Sequence, residues 1–167
     1  DGARVRSGAY IEGPALIRSG ATVGPNAYLR GGTLVGESCH VGHGVEVKNS
    51  VLMADAAVPP VYVGDSLPGA GVHLGAGTQV ANLRHDDADV GQTVRGERVP
   101  TGRRKYGVVA GLDARTDIHN GLSPGVVSSA GAPTEPGGSI TRDRQSSERP
   151  LSAGRAPARP RPPVPPA

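Results

Sequence analysis

Written in blocks of six from Ala3, the first third of the chain reads ARVRSG, AYIEGP, ALIRSG, ATVGPN, AYLRGG, TLVGES, CHVGHG, VEVKNS. The third place in every block is aliphatic: Val5, Ile11, Ile17, Val23, Leu29, Val35, Val41 and Val47 make eight matches without a gap. Neither a 3.6-residue helical period nor the two-residue alternation of an ordinary strand generates that register. Small residues, mainly Ala, Thr and Cys, occupy the first place in most blocks, and Gly, Ser, Asn and Pro crowd the last two. Each block therefore reads as a short strand followed by a turn. Such a block buries one aliphatic and cannot fold alone, so blocks must stack, each strand bonding to the coil below at about 4.8 Å. The pattern predicts an all-β protein, a parallel β-helix.

The register then continues less strictly through Leu52, Val58, Val63, Pro68, Leu74 and Val80, with one-residue shortenings that a loop or corner could absorb. It returns at Ala110, Thr116, Leu122, Ser128, Thr134 and Ile140, where the spacing survives and most of the aliphatics do not. These degenerate coils, over 122–141, are expected to pack loosely, because a core hydroxyl needs a partner and contributes little apolar burial. Between the two runs, 83–107 is polar and without a period of six. A break of that kind reads as an inserted surface loop, where functional residues collect. The domain is thus expected to span 1–141. Residues 142–167 hold seven of the 16 Pro and end in RAPARPRPPVPPA, and are expected to be disordered or polyproline-like.

Composition makes the interior unusual. The chain has four Tyr, no Phe, no Trp and one Met among 167 residues, so Val, Leu, Ile and Ala must form a thin, repetitive core, and 26 Gly imply many tight turns. The net charge of +3 is unevenly placed. Six Arg against Asp143 and Glu148 give +4 from Arg142 onward, which leaves −1 for everything before it. A near-neutral body without a basic, aromatic-interleaved stripe argues against nucleic-acid binding. No apolar run spans a bilayer, and the single Cys39 rules out an internal disulfide framework, so a soluble cytoplasmic protein is expected. The chain begins with Asp1 and shows no signal-peptide pattern, and reads as a piece of a longer product.

The segments GAYIEGP, GPNAYLRGGTLVG, CHVGHGVEVKNSVLM, YVGDS, LGAGTQVANLRHD, VRGERVPTGRRKYG and SPGVV carry a more specific likeness. In that order they resemble the acetyltransferase half of archaeal-type bifunctional sugar-1-phosphate nucleotidylyltransferase/acetyltransferases, over about residues 5–127. The resemblance implies a single-stranded left-handed parallel β-helix, a homotrimer with active sites between neighbouring subunits, and acetyl-CoA as the donor. The acceptor it implies is glucosamine-1-phosphate or galactosamine-1-phosphate, on the way to a UDP-N-acetylhexosamine. The N-terminal nucleotidyltransferase domain of full-length members has no counterpart in these residues.

Acetyl transfer to an amine needs a base for the ammonium, fixed positive charge for the phosphate and a donor for the tetrahedral oxygen. By motif, Arg30 in YLRGG and Lys48 in VEVKNS fall at sugar-phosphate positions, and Tyr62 and Asn82 at acceptor-binding positions, Asn82 with a catalytic role. Ala76 in LGAGT is assigned to acetyl-CoA binding, and the run Arg103, Arg104, Lys105 to the phosphates of CoA or of the sugar. Each has a structural reading too: a solvated charge for the cations, a corner cover for Tyr62, a loop or ladder amide for Asn82. Relatives carry a His about three residues before the Tyr of the YVGD motif, whereas Pro59 and Pro60 stand here, and neither accepts a proton. His73, where relatives generally carry Asn, is the nearest substitute base. Cys39, His40 and His43 suggest zinc, but further ligands are missing and the repeat rhythm accounts for the block, so no metal is expected. Two functions from different classes remain: an acetyltransferase, and a catalytically inactive trimeric β-helix that binds a sugar phosphate or partner subunit. An acyltransferase of the same fold with another acceptor is a third.

Overall fold

The computed structural model of the chain describes residues 2–146. Among them there is no helix, and so none long and apolar enough to cross a membrane. Strands of mostly two or three residues wind into a stack of coils with three faces. The second face is one seven-stranded parallel sheet, one strand per coil: Tyr10–Ile11, Tyr28–Leu29, Glu46–Lys48, Tyr62–Gly64, Gln79–Val80, Gly121–Leu122 and Ser139–Ile140. The first face runs through Arg4–Val5, Thr22–Val23, His40–Val41 and Ala57–Val58, then through single parallel bridges at His73, Arg115 and Pro133. The third runs through Ala15–Ile17, Thr33–Val35 and Val51–Leu52, then Leu67–Pro68, Val109–Ala110 and Val127–Ser128.

The six-residue block explains this geometry. In a two-residue strand one side chain points in and its neighbour out. Val23, Leu29, Val35, Val41, Val47, Leu52, Val58, Val63, Leu74 and Val80 are all at most 1% exposed. The inward corner position takes a small residue, as at Ala21, Ala27, Thr33, Cys39, Ser50 and Ala56. The chain then turns through a residue of positive φ, as at Asn26 (53°), Ser38 (56°), Asn49 (44°), Asp55 (61°) and Asp65 (49°). Asn and Asp tolerate that region better than other side chains, which accounts for the composition of the block ends. At this end of the stack the same register is not buried: Val5 is 52% and Ile11 38% exposed, because among the described residues no coil lies above them.

The insertion is more ordered than a polar loop. Val90–Val94 and Glu97–Arg103 form an antiparallel hairpin with a bulge at Val90/Gly91, turned by Arg95 and Gly96, both at positive φ (51° and 85°). A Leu83–Lys105 bridge closes its base. Its return is bonded to the corner of the coils: Tyr106 N–H to Asn82 O (2.8 Å), Gly107 N–H to Asp65 O (2.8 Å) and Val108 N–H to Ser66 Oγ (3.0 Å).

Below the insertion the backbone ladder continues although aliphatics are lost. Thr116 Oγ1 accepts the Gly75 amide (2.8 Å) and Thr134 Oγ1 the Asp117 amide (3.0 Å), so both buried hydroxyls replace apolar contact with a backbone bond. A second apolar cluster, Val80, Val108, Leu122, Val126 and Ile140, fills the lower interior. Asp143 and Arg144 still bond to Val127–Ser129, so pairing runs slightly past the expected domain end at 141. Residues 147–167, most of the segment expected to be a disordered tail, lie outside the described residues.

Candidate functional site

The second face presents a column of outward side chains in exact coil register: Tyr10, Tyr28, Glu46, Tyr62 and Gln79 at one position, with Arg30 and Lys48 two residues on. In its upper part these pair with one another. Tyr28 Oη donates to Glu12 (2.5 Å), which raises the Tyr28 phenol above its ordinary pKa. Arg30 Nη1 meets Glu46 Oε1 at 3.1 Å, with its guanidinium 5.9 Å from the Tyr28 ring centroid.

One coil lower the column converges on Asp65. Lys48 Nζ donates to both its carboxylate oxygens (2.7 and 3.0 Å), Asn49 Nδ2 donates to Oδ1 (2.8 Å), and Asn82 Nδ2 donates to Oδ2. Asn82 Nδ2 also donates to Tyr62 Oη at 3.2 Å. The Asp65 side chain is only 7% exposed. Burial raises its carboxyl pKa, but the bonds from Asn49, Lys48 and Asn82 outweigh that and hold it below the ordinary carboxylate value. The Tyr62 phenol is raised, first by burial and then by the charges of Glu46 and Asp65. Close packing keeps the network in place: a Cβ on Gly64 would stand 2.4 Å from Tyr62 Oη and 2.7 Å from Asn82 Nδ2.

Two openings flank this network. A cleft of about 290 Å³ at the corner of the second and third faces is lined by Asn49, Asp65, Arg103, Lys105 and Tyr106 among others. A groove of about 460 Å³ runs down the second face from Tyr62 and Asn82 past Gly121 to Ser139. The structure thus brings Lys48, Tyr62 and Asn82 into one cluster, with Arg30 on the same face one coil above. Arg103 and Lys105 stand at the cleft, whereas Arg104 is paired with Asp87 (2.6 Å) on the hairpin side. Ala76 is exposed, its carbonyl accepting the His119 amide (2.8 Å). His73 lies on the first face, bridged between Ala57 and Arg115, and does not join the Tyr62 cluster within one chain. Pro60 sits at the corner leading to Tyr62, its carbonyl taking the Gly77 amide (2.8 Å). Cys39 points inward, its thiol bonded to Met53 O (2.9 Å), while His40 and His43 are exposed. The three are therefore not gathered.

Asp65 and Asn49 are the members that sequence reasoning did not single out. A signal existed in the aligned corners: Lys48-Asn49-Ser50 stacks on Gly64-Asp65-Ser66, with Lys48 paired to Gly64 and the Ser66 amide bonded to Ser50 Oγ (3.0 Å).

Fold and site together define a left-handed parallel β-helix with a polar cluster beside an open groove. The chain belongs to the GMPPB C-terminal domain family, whose model matches residues 11–106. It is similar to a bifunctional sugar-1-phosphate nucleotidylyltransferase/acetyltransferase of Sulfurisphaera tokodaii, 44% identical over 104 residues, which cover 62% of this chain and 26% of that protein. It is also similar to the bifunctional protein GlmU of Methanococcus vannielii, 42% identical over 87 residues, covering 52% of this chain and 21% of that one. The chain spans about a quarter or less of the length of these relatives. Among solved structures, PerB from Caulobacter crescentus, crystallised with CoA and GDP-perosamine, shares the fold at a TM-score of 0.51 and 22% identity, over 83% of this chain and 51% of PerB.

Proposed function

We propose that this domain transfers the acetyl group of acetyl-CoA to the amine of an amino-sugar-1-phosphate, glucosamine-1-phosphate or its galactosamine counterpart. The observation that carries the reading is the Lys48–Asp65–Asn82–Tyr62 cluster set at the head of the groove on the second face. The names of the Sulfurisphaera and Methanococcus relatives support the reaction class, and PerB shows that this fold accommodates CoA.

In the reaction the free amine attacks the thioester carbonyl, the N–C bond forms, the C–S bond breaks, and the CoA thiolate takes up a proton. Arg30, paired with Glu46, and Lys48, paired with Asp65, offer their remaining N–H donors to the sugar phosphate, and Arg103 and Lys105 supply positive charge for phosphates entering from the cleft. Tyr62 and Asn82 meet the reacting groups. The ammonium needs a base, and with Pro59 and Pro60 in place of the family His, His73 is the candidate. It lies on another face of the same chain, so this role requires a neighbouring subunit to bring its first face to the Tyr62 groove. Self-association is supported by the third face, whose outward residues Leu16, Leu34, Val51, Leu67, Val109 and Val127 are apolar coil after coil, with Leu16, Val51 and Leu67 exposed. The reading is therefore a homotrimer, tested by mass in solution at micromolar concentration, where a monomer would contradict it.

The second reading, an inactive β-helix that binds sugar phosphate or a partner, is favoured by Pro59 and Pro60 alone. Incubation of the purified chain with acetyl-CoA and glucosamine-1-phosphate, followed by free thiol release, separates the two. Turnover abolished by His73→Ala supports the first, turnover that survives this change removes His73 as the base, and sugar-phosphate binding without turnover supports the second. Turnover only with a different amine or hydroxyl acceptor would identify an acyltransferase of other specificity.

A further inference from the structure

We propose that Asp65 is a positioning residue that sets the hydrogen-bond polarity of the reaction centre, so that Tyr62 meets the ligand as a donor and Asn82 as an acceptor. The inference rests on the transferase reading for its function, but not for its geometry. A carboxylate only accepts, and Asp65 is surrounded by three donors, Lys48 Nζ, Asn49 Nδ2 and Asn82 Nδ2. Its pairing with Asn82 leaves the amide one orientation. Turned over, Asn82 would place its carbonyl oxygen against the Asp65 carboxylate, two acceptors without a proton between them. In the orientation held, both hydrogens of Asn82 Nδ2 are committed, one to Asp65 and one to Tyr62 Oη. The phenol oxygen is thereby an acceptor on its inner side, and its own proton is left for another partner.

Tyr62 and Asn82 both line the groove on the second face. A ligand there meets a phenolic O–H beside an amide carbonyl, and so must present an oxygen acceptor next to an N–H donor. The thioester carbonyl oxygen and the attacking amine are such a pair. The Tyr62 O–H would then bond the oxygen on which negative charge develops, and Asn82 Oδ1 would hold the amine by its N–H. Lys48 contributes through Asp65: its ammonium, bonded to both carboxylate oxygens, keeps that carboxyl ionised and hence acceptor-only.

A charge-conserving swap tests this. Asn82→Asp alone sets two carboxylates against each other and should lower the melting temperature. The double change Asp65→Asn/Asn82→Asp restores a donor facing an acceptor and should recover that temperature. It reverses the polarity, however: the new carboxylate at position 82 accepts the Tyr62 proton and turns it inward. Two readouts follow on the full chain. With tyrosines labelled at Cζ and the signal assigned through Tyr62→Phe, the Tyr62 titration should move to higher pH in the swap than in the wild type. Thiol release should stay depressed, with kcat/KM down about 10-fold or more and close to that of Tyr62→Phe, since a bond to a developing charge is lost. A swap that regains wild-type kcat/KM, or that leaves the Tyr62 titration where it was, overturns the proposal and makes Asp65 a structural residue. If the wild type releases no thiol at all, the transferase reading fails, and the tyrosine titration still decides whether Asp65 sets the polarity.

Discussion

From Val23 to Val80 almost every inward strand position is aliphatic and sealed from solvent, whereas from Ala110 to Thr134 the same positions include Thr116, Ser128 and Thr134. The backbone ladder is nonetheless continuous through both regions. Above the insertion, coils are held by apolar stacking between aligned side chains. Below it, hydroxyls take over as backbone acceptors, Thr116 for Gly75 and Thr134 for Asp117, and a smaller apolar cluster shifts towards Leu122 and Ile140. The β-helix thus tolerates Thr116 and Thr134 in its aliphatic register, because each hydroxyl finds an amide and the main cost of burying it is then removed.

Four substitutions or conditions sharpen this contrast. Leu29→Ala in the upper stack should cost about 3 kcal/mol in urea or thermal unfolding, since its side chain is fully buried and the rigid coils above and below cannot collapse into the space. Thr134→Val in the lower stack should also destabilise, by about 1–2 kcal/mol, although it adds apolar surface, because the Asp117 amide loses its acceptor. A stabilising Thr134→Val would show that the lower coils are held by the same apolar stacking as the upper ones. Within the upper region, Asp65 should make stability acid-sensitive. Its folded pKa lies below the ordinary value, so its contribution is complete above the usual carboxylate range and is lost as pH falls through the lowered value. Against Asp65→Asn, the stability advantage of the wild type should therefore be largest near neutrality and shrink in acid, as followed by urea melts across pH. The smallest effect is expected at the end of the stack that holds Val5: Val5→Ser, at the same repeat position as Val23, should change stability by about 0.5 kcal/mol or less.

Much of the scaffold was legible in the order of residues. Val23 to Val47 recur every six places, and each is buried in one coil of the stack. The shortened steps at 47–52, 58–63 and 63–68 were legible as a loop or a corner, and the hairpin in the insertion was not, because its strands alternate too weakly among charged residues to stand out. Of the polar cluster, Lys48, Tyr62 and Asn82 were singled out through motif likeness, while Asp65, inside the same YVGDS segment as Tyr62, was not. Its φ of 49° does mark a turn, but the side chain leaving that turn points back at Lys48.

What local order alone settled is the period, and with it which side chain faces in and which faces out, because a two-residue strand repeated every six residues admits one alternation. The chemistry at Asp65 needed the folded coils. Its bonds to Lys48, Asn49 and Asn82 join residues 16 and 17 apart in sequence, close to one turn of the stack shortened by its tight corners. The distance between such residues depends on how many places each corner drops and on where the insertion re-enters beside Asn82. Those are properties of the stacked backbone, and no single block of the repeat contains them.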